Sequence, residues 1–81
     1  MRESMRAYVL VEAAVGTADS VVSGIRSLAS DDIKLVSADV VTGPYDSIVV
    51  LEANDLDQLA RFVTDKIQAI DGVQRTLTCI A

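Results

Sequence analysis

Apolar residues fall along this chain in two rhythms. Residues 6–13, 33–41, 47–53 and 73–80 are short runs rich in Val, Ile, Leu and Thr, which read as β-strands. Between the first two runs, Ala18, Val21, Val22, Ile25, Leu28 and Ala29 recur at spacings of three and four. Between the last two, Leu56, Leu59, Ala60, Val63, Ile67 and Ile70 do the same. Each set marks one face of an amphipathic helix.

The punctuation fits these elements. Thr17 is a candidate N-cap, and Asp19 puts a negative charge in the first turn, where the helix dipole favours it. Gly24 suggests a close approach of this helix to the sheet, and Ser30, Asp31 and Asp32 end it. Asn54 and Asp55 are the cap signal for the second helix, Asp57 and Arg61 are spaced to pair on its solvent side, and Lys66 suits its C-terminal end. Gly72 is a left-handed stop. A Gly43-Pro44 turn joins the second and third strands.

The order is therefore β-α-β, turn, β-α-β. A faint repeat supports it: Val9-Leu10-Val11-Glu12-Ala13 matches Val49-Val50-Leu51-Glu52-Ala53. This is the pattern of an α+β, ferredoxin-like βαββαβ fold, a four-stranded antiparallel sheet with two helices on one face. The first and third strands are central in it. Both are apolar on both sides: Val9 and Val11 oppose Tyr8 and Leu10, and Val49 and Leu51 oppose Ile48 and Val50. A central strand with one wet face would alternate apolar with polar. The expectation is a second copy of the chain, so that the domain dimerises through the open sheet face.

Composition sharpens this. The 81 residues allow a single domain over 1–81, with about 6–80 structured. Such a short chain is marginal alone, yet 51% of it is hydrophobic, which again favours a homo-oligomer. A net charge of −5 argues against direct nucleic-acid binding, since an acidic chain gains nothing from counterion release. One cysteine precludes an internal disulfide and suits a reducing compartment. No apolar run has the length of a membrane span and no leader pattern is visible, so a cytoplasmic location is expected. No His or Trp is present, and no Gly-rich phosphate loop; no catalytic residue, metal site or cofactor is assigned, and the chain reads as a non-enzyme.

Candidate chemistry gathers in the mid-chain loop. Thr42, Gly43, Pro44, Tyr45 and Asp46 hold more functional groups than a turn needs. Gly43 permits close backbone approach, Tyr45 offers a ring and a hydroxyl, and Asp46 can accept from an ammonium group. The plainer reading is a hairpin whose Tyr packs at an interface and whose Asp bonds the turn. Thr76 and Thr78 share a face of the last strand; two hydroxyls at an interface suit a small zwitterion, and ordinary β-propensity explains them equally. Glu12 and Glu52 occupy matching strand ends and are most simply solvated. Cys79 has no His to activate it and reads as a small buried hydrophobe.

These stretches together resemble the effector-binding (RAM) domain of the Lrp/AsnC transcriptional regulator family. The resemblance rests on Ala7-Tyr8-Val9-Leu10-Val11, Val41-Thr42-Gly43-Pro44-Tyr45-Asp46, Asp55-Leu56-Asp57-Gln58-Leu59, and 70–78 with its Gly72-Val73 and Thr76, Thr78. It spans roughly residues 6–80; Pro44 and Asp71 depart from the usual pattern. It implies sheet-to-sheet dimers, octamers or other rings of dimers, and an amino acid or related small molecule bound at an interface. It also implies a stand-alone module, without the DNA-binding domain of full-length members, that modulates a full-length Lrp/AsnC regulator. Two other classes stay open: an oligomerising partner without a ligand, and a small dimeric α+β-barrel enzyme. The amino-acid-binding ACT domain shares the strand order and is a fold-level rival.

Overall fold

A computed structural model describes residues 4–28 and 30–81. Strand β1 (Met5–Ala13) leads through a turn to helix α1 (Ala18–Arg26), then β2 (Ile33–Val40) and β3 (Ser47–Ala53). Helix α2 (Leu56–Phe62) runs into a π-helical turn (Val63–Ile67), and β4 (Val73–Ile80) closes the chain. The sheet order is β2-β3-β1-β4, and every pairing is antiparallel. This is the ferredoxin-like arrangement expected from the apolar rhythm, with β1 and β3 central. The two repeat segments lie on neighbouring strands and meet at one position, Val9 opposite Val49.

Both helices lie on one face. Ala7, Val9, Val11 and Ala13 of β1 and Val49, Leu51 and Ala53 of β3 point into the core. They meet Val21, Val22 and Ile25 of α1 and Leu59, Phe62, Val63 and Ile67 of the second helical segment. Full burial of a Leu or Ile side chain contributes about 1.5–3 kcal/mol, so this layer supplies the main driving force. Leu28 packs partly against it, whereas Ala29, assigned to the same stripe, lies outside the described residues.

Several local expectations change. Thr17 sits at the N-cap position of α1, but its hydroxyl donates back to the Ala14 carbonyl at 2.7 Å and makes no cap. Asp55 does cap α2, its Oδ1 accepting from the Asp57 N–H at 2.8 Å. A Cβ on Gly24 would lie 3.4 Å from the Ile70 side chain, so this glycine makes room for the end of the second helical segment, not for the sheet. Gly72 takes φ +98°, the left-handed stop that the sequence requires, and a Cβ there would meet Thr17 Oγ1 at 2.8 Å. The stripe 56–70 is not one regular helix. Gln68 N–H bonds the Val63 carbonyl, and the wider turn shifts the apolar phase. Phe62 is therefore buried, while Leu56 and Ala60 face outward.

Candidate functional site

The 42–46 loop is held by Asp46. Its N–H donates to the Val11 carbonyl at 2.9 Å, and its own carbonyl accepts from the Val41 N–H at 2.9 Å. Its Oδ2 accepts from the Ala13 N–H at 2.7 Å. Here the carboxylate takes over from the β1–β3 ladder. One residue thus ties β1, β2 and the loop together, and Asp46 acts as an anchor in the chain as it stands. The neighbouring Ser47 is fully buried, and its hydroxyl has no partner among the described residues.

Anchored this way, the loop leans over the face opposite the helices. Thr42, Gly43, Pro44 and Tyr45, with Leu10, Val41 and Ile48, line an open hollow of about 250 Å³. Its walls are almost wholly apolar. Gly43 does not need its conformational freedom here, because its φ is not positive. Its missing side chain leaves open space: nothing lies within 4 Å of where a Cβ would stand.

Thr76 and Thr78 lie elsewhere. Their partners across the ladder are Val11 and Val9, core-facing residues of β1, so the two threonines point to the helix side. There they line a second hollow, of about 370 Å³, with Leu56, Ala60, Val63, Thr64 and Ile80. Thr76 Oγ1 accepts from Gln68 Nε2 at 2.8 Å. The candidate residues therefore divide into two places on opposite sides of the sheet. Gln68 was not singled out from the sequence, and Leu56 was assigned there to the apolar stripe of the second helix. The π turn that brings Gln68 over β4 breaks the period on which such a reading depends.

The loop hollow opens onto an apolar patch. Tyr8 and Leu10 of β1, Ile48 and Val50 of β3, and Leu77 and Cys79 of β4 share the face without helices. None of them is fully buried; Leu77 is 47% exposed and Tyr8 38%. Cys79, read from sequence as buried, is exposed here. Charges flank the patch. Arg6 Nη2 and Glu52 Oε2 pair at 2.6 Å across β1 and β3, and Arg75 and Glu12 pair at 3.5 Å across β4 and β1. Each of the two matched glutamates, expected to be solvated, thus pairs with an arginine of a neighbouring strand. The hydrogen bond from Arg6 holds the Glu52 carboxyl below its ordinary value, and Glu52 in turn raises Arg6. Asp57 and Arg61 are not paired among the described residues.

No described helix is long and apolar enough to cross a membrane, and no described cluster of His, Cys, Asp or Glu could hold a metal ion.

Comparison with known proteins agrees with this architecture. The model of the Lrp/AsnC ligand binding domain matches residues 6–81. An uncharacterised HTH-type transcriptional regulator of Pyrococcus abyssi (strain GE5 / Orsay) is 36% identical over 59 residues, covering 69% of this chain and 37% of that protein. The chain therefore spans well under half of that relative's length. The crystal structure of FFRP-DM1 superposes with a TM-score of 0.83 at 32% identity, covering 95% of this chain and 97% of that one. A transcriptional regulator of Neisseria meningitidis, solved as its L-Met complex, shares the fold at 19% identity and a TM-score of 0.78, over 95% of this chain and 49% of that one. By its matched length and its fold, this chain belongs to the Lrp/AsnC family, in the region of the ligand binding domain.

Proposed function

We propose that this chain is a small-molecule-binding regulatory module that takes an amino acid or related compound in the hollow beneath 42–46. A second copy, docked on the open sheet face, forms the remaining wall. The observation that carries this reading is the hollow itself. It is apolar and lined in part by Tyr45, and it shares Leu10 and Ile48 with the uncovered patch. At about 250 Å³ it is smaller than the ~300–1,000 Å³ typical of ligand sites, so one chain offers half a pocket. Ligand binding would then bias an assembly of dimers, or of this chain with a full-length DNA-binding relative, and so act on transcription. The L-Met complex of the Neisseria relative supports an amino acid as the ligand class.

Thermal melting against each common amino acid, with calorimetry on any hit, tests this. A ligand at one hundred times its dissociation constant stabilises by about 2.7 kcal/mol, a clear shift for so small a domain. Tyr45→Ala and Gly43→Val should remove the shift and leave the assembly. The Gly43 change meets open space in the chain alone, so it acts on the ligand. No shift with any amino acid favours an oligomerising partner without a ligand. Binding that survives both substitutions moves the site to the groove of Thr76 and Thr78.

A further inference from the structure

The hollow beneath 42–46 has no charged side chain among its lining residues. A free amino acid carries two charges, so its ammonium group needs a partner at the rim. Three carboxylates near that face are already engaged. Asp46 Oδ2 holds the Ala13 N–H at 2.7 Å, Glu52 pairs with Arg6 at 2.6 Å, and Glu12 pairs with Arg75 at 3.5 Å.

Asp39 of β2 is placed differently. It stands opposite Ile48 in the β2–β3 ladder, one position from the buried pair Ala38 and Val49, so it faces away from the helices. Directly opposed residues lie about 4.5–5.5 Å apart at Cβ. Val41, two residues on, shares that face, and its N–H bond to the Asp46 carbonyl carries the pairing past the strand end. Ile48 and Val41 both line the hollow. Two of its walls therefore flank Asp39, one across the ladder and one along the strand. The Asp39 side chain is 66% exposed. Arg26 approaches it to 3.6 Å, too far for a hydrogen bond, while donating from Nε and Nη2 to the Ala38 carbonyl at 3.0 and 2.6 Å.

We infer that Asp39 is the ammonium-binding residue of the hollow, and that the hollow selects an α-amino acid with an apolar side chain. This rests on the ligand reading proposed above and deepens it. Leu10, Val41, Pro44, Tyr45 and Ile48 receive the side chain. The Asp39 carboxylate receives the ammonium group at the β2 rim. The ligand's own carboxylate is left the Thr42 hydroxyl and the N–H groups of Gly43 and Tyr45, neither of which makes a backbone bond among the described residues. An acidic side chain would bring a second negative charge to an apolar wall beside Asp39, in a chain of net charge −5. A basic side chain would compete with the α-ammonium for the one carboxylate. Both are disfavoured.

Calorimetry with L-methionine, L-leucine and L-phenylalanine, each against its 2-hydroxy acid, tests this on the 81-residue protein. The hydroxy acid keeps the side chain and the carboxylate and replaces the ammonium group by a hydroxyl. At least one apolar amino acid should bind, more tightly than L-glutamate or L-lysine, and its hydroxy acid should bind roughly tenfold more weakly. In Asp39→Asn the amino acid should fall to the level of the hydroxy acid, whose own affinity stays or rises. The circular dichroism should not change, because the side chain is exposed and its pairing with Arg26 is worth little. An equal loss for both compounds would make Asp39 a structural residue and overturn the inference. So would a preference for the ammonium group that survives the substitution, or tighter binding of L-glutamate or L-lysine. Each of these leaves the hollow standing as a ligand site. No binding by any of the five amino acids, or binding that survives Gly43→Val, removes the hollow and this inference together.

Discussion

The two faces of the sheet are built from the same strands and end in different states. Toward the helices, Val9, Val11, Val49 and Leu51 have no exposed surface. One residue away along each strand, Leu10, Ile48 and Val50 are only half-buried, and nothing among the described residues covers them. A period of two assigns alternate residues to opposite faces, so the sequence has written an apolar face twice. The chain satisfies one face by itself. The other, on the proposed reading, is an interaction surface, because an apolar sheet face left in water forgoes the burial that helps a domain this small to fold. On that reading, stability resides mainly on the first face, and association, with the proposed ligand hollow at its end, on the second.

Substitutions on the two faces should therefore differ in kind. Leu51→Ala removes a fully buried side chain and should cost about 2–5 kcal/mol in denaturant unfolding. That loss should appear with the same sign at every protein concentration. Val50→Asp, one position away, should leave the helix-side core intact and act on assembly. Light scattering should show a lighter species, because an unpaired charge cannot be buried in the seam. Equal effects of the two on stability, with no change in mass, would erase the distinction between faces.

Asp46 links the faces, since it fixes the loop that overhangs the open one. Asp46→Ala should cost about 1–3 kcal/mol by leaving the Ala13 N–H without its acceptor. Asp46→Asn, which keeps a carbonyl oxygen, should recover much of that. If ligand binding disappears in the Ala variant and returns in Asn, anchoring is the residue's role. Loss in both would make the charge itself a ligand contact.

The smallest effect belongs to the charged rim. Arg6 lowers the folded-state value of Glu52 below the ordinary 4.5, so the pair supports the fold above the carboxylate range. That support should be lost as pH falls below 4.5 and through the folded value. Melting temperature against pH should show a shallower acid decline in Glu52→Gln than in the unaltered protein. The difference should shrink in salt, because both groups are exposed.

Much of this was legible beforehand, for physical reasons that also mark the limits. The strands were readable because 6–13 and 47–53 are short β-branched runs, and β3 occupies the residues expected of it. The two-sided apolarity of β1 and β3 is a sequence fact that the structure turns into a half-buried patch. What was not legible depends on register and on local backbone. Alternation places Thr76 and Thr78 together, but only the pairing of Thr78 with Val9 shows that their face is the helix side. The same parity exposes Cys79 beside Tyr8. The π turn at Val63–Ile67 was invisible to a search for a fixed period, which is why Phe62 was missed and Leu56 and Ala60 were assigned inward. The 42–46 loop was singled out from its residue types. That its Asp is held by the Ala13 N–H could not be seen, because the bond spans two strands distant in sequence.

The central claim is that the open sheet face is half of an interface. Light scattering across a size-exclusion peak, repeated at falling protein concentration into the micromolar range, tests it most directly. The account predicts that the unaltered protein has a mass of two chains or more throughout that range. A stable, folded monomer at micromolar concentration would contradict it.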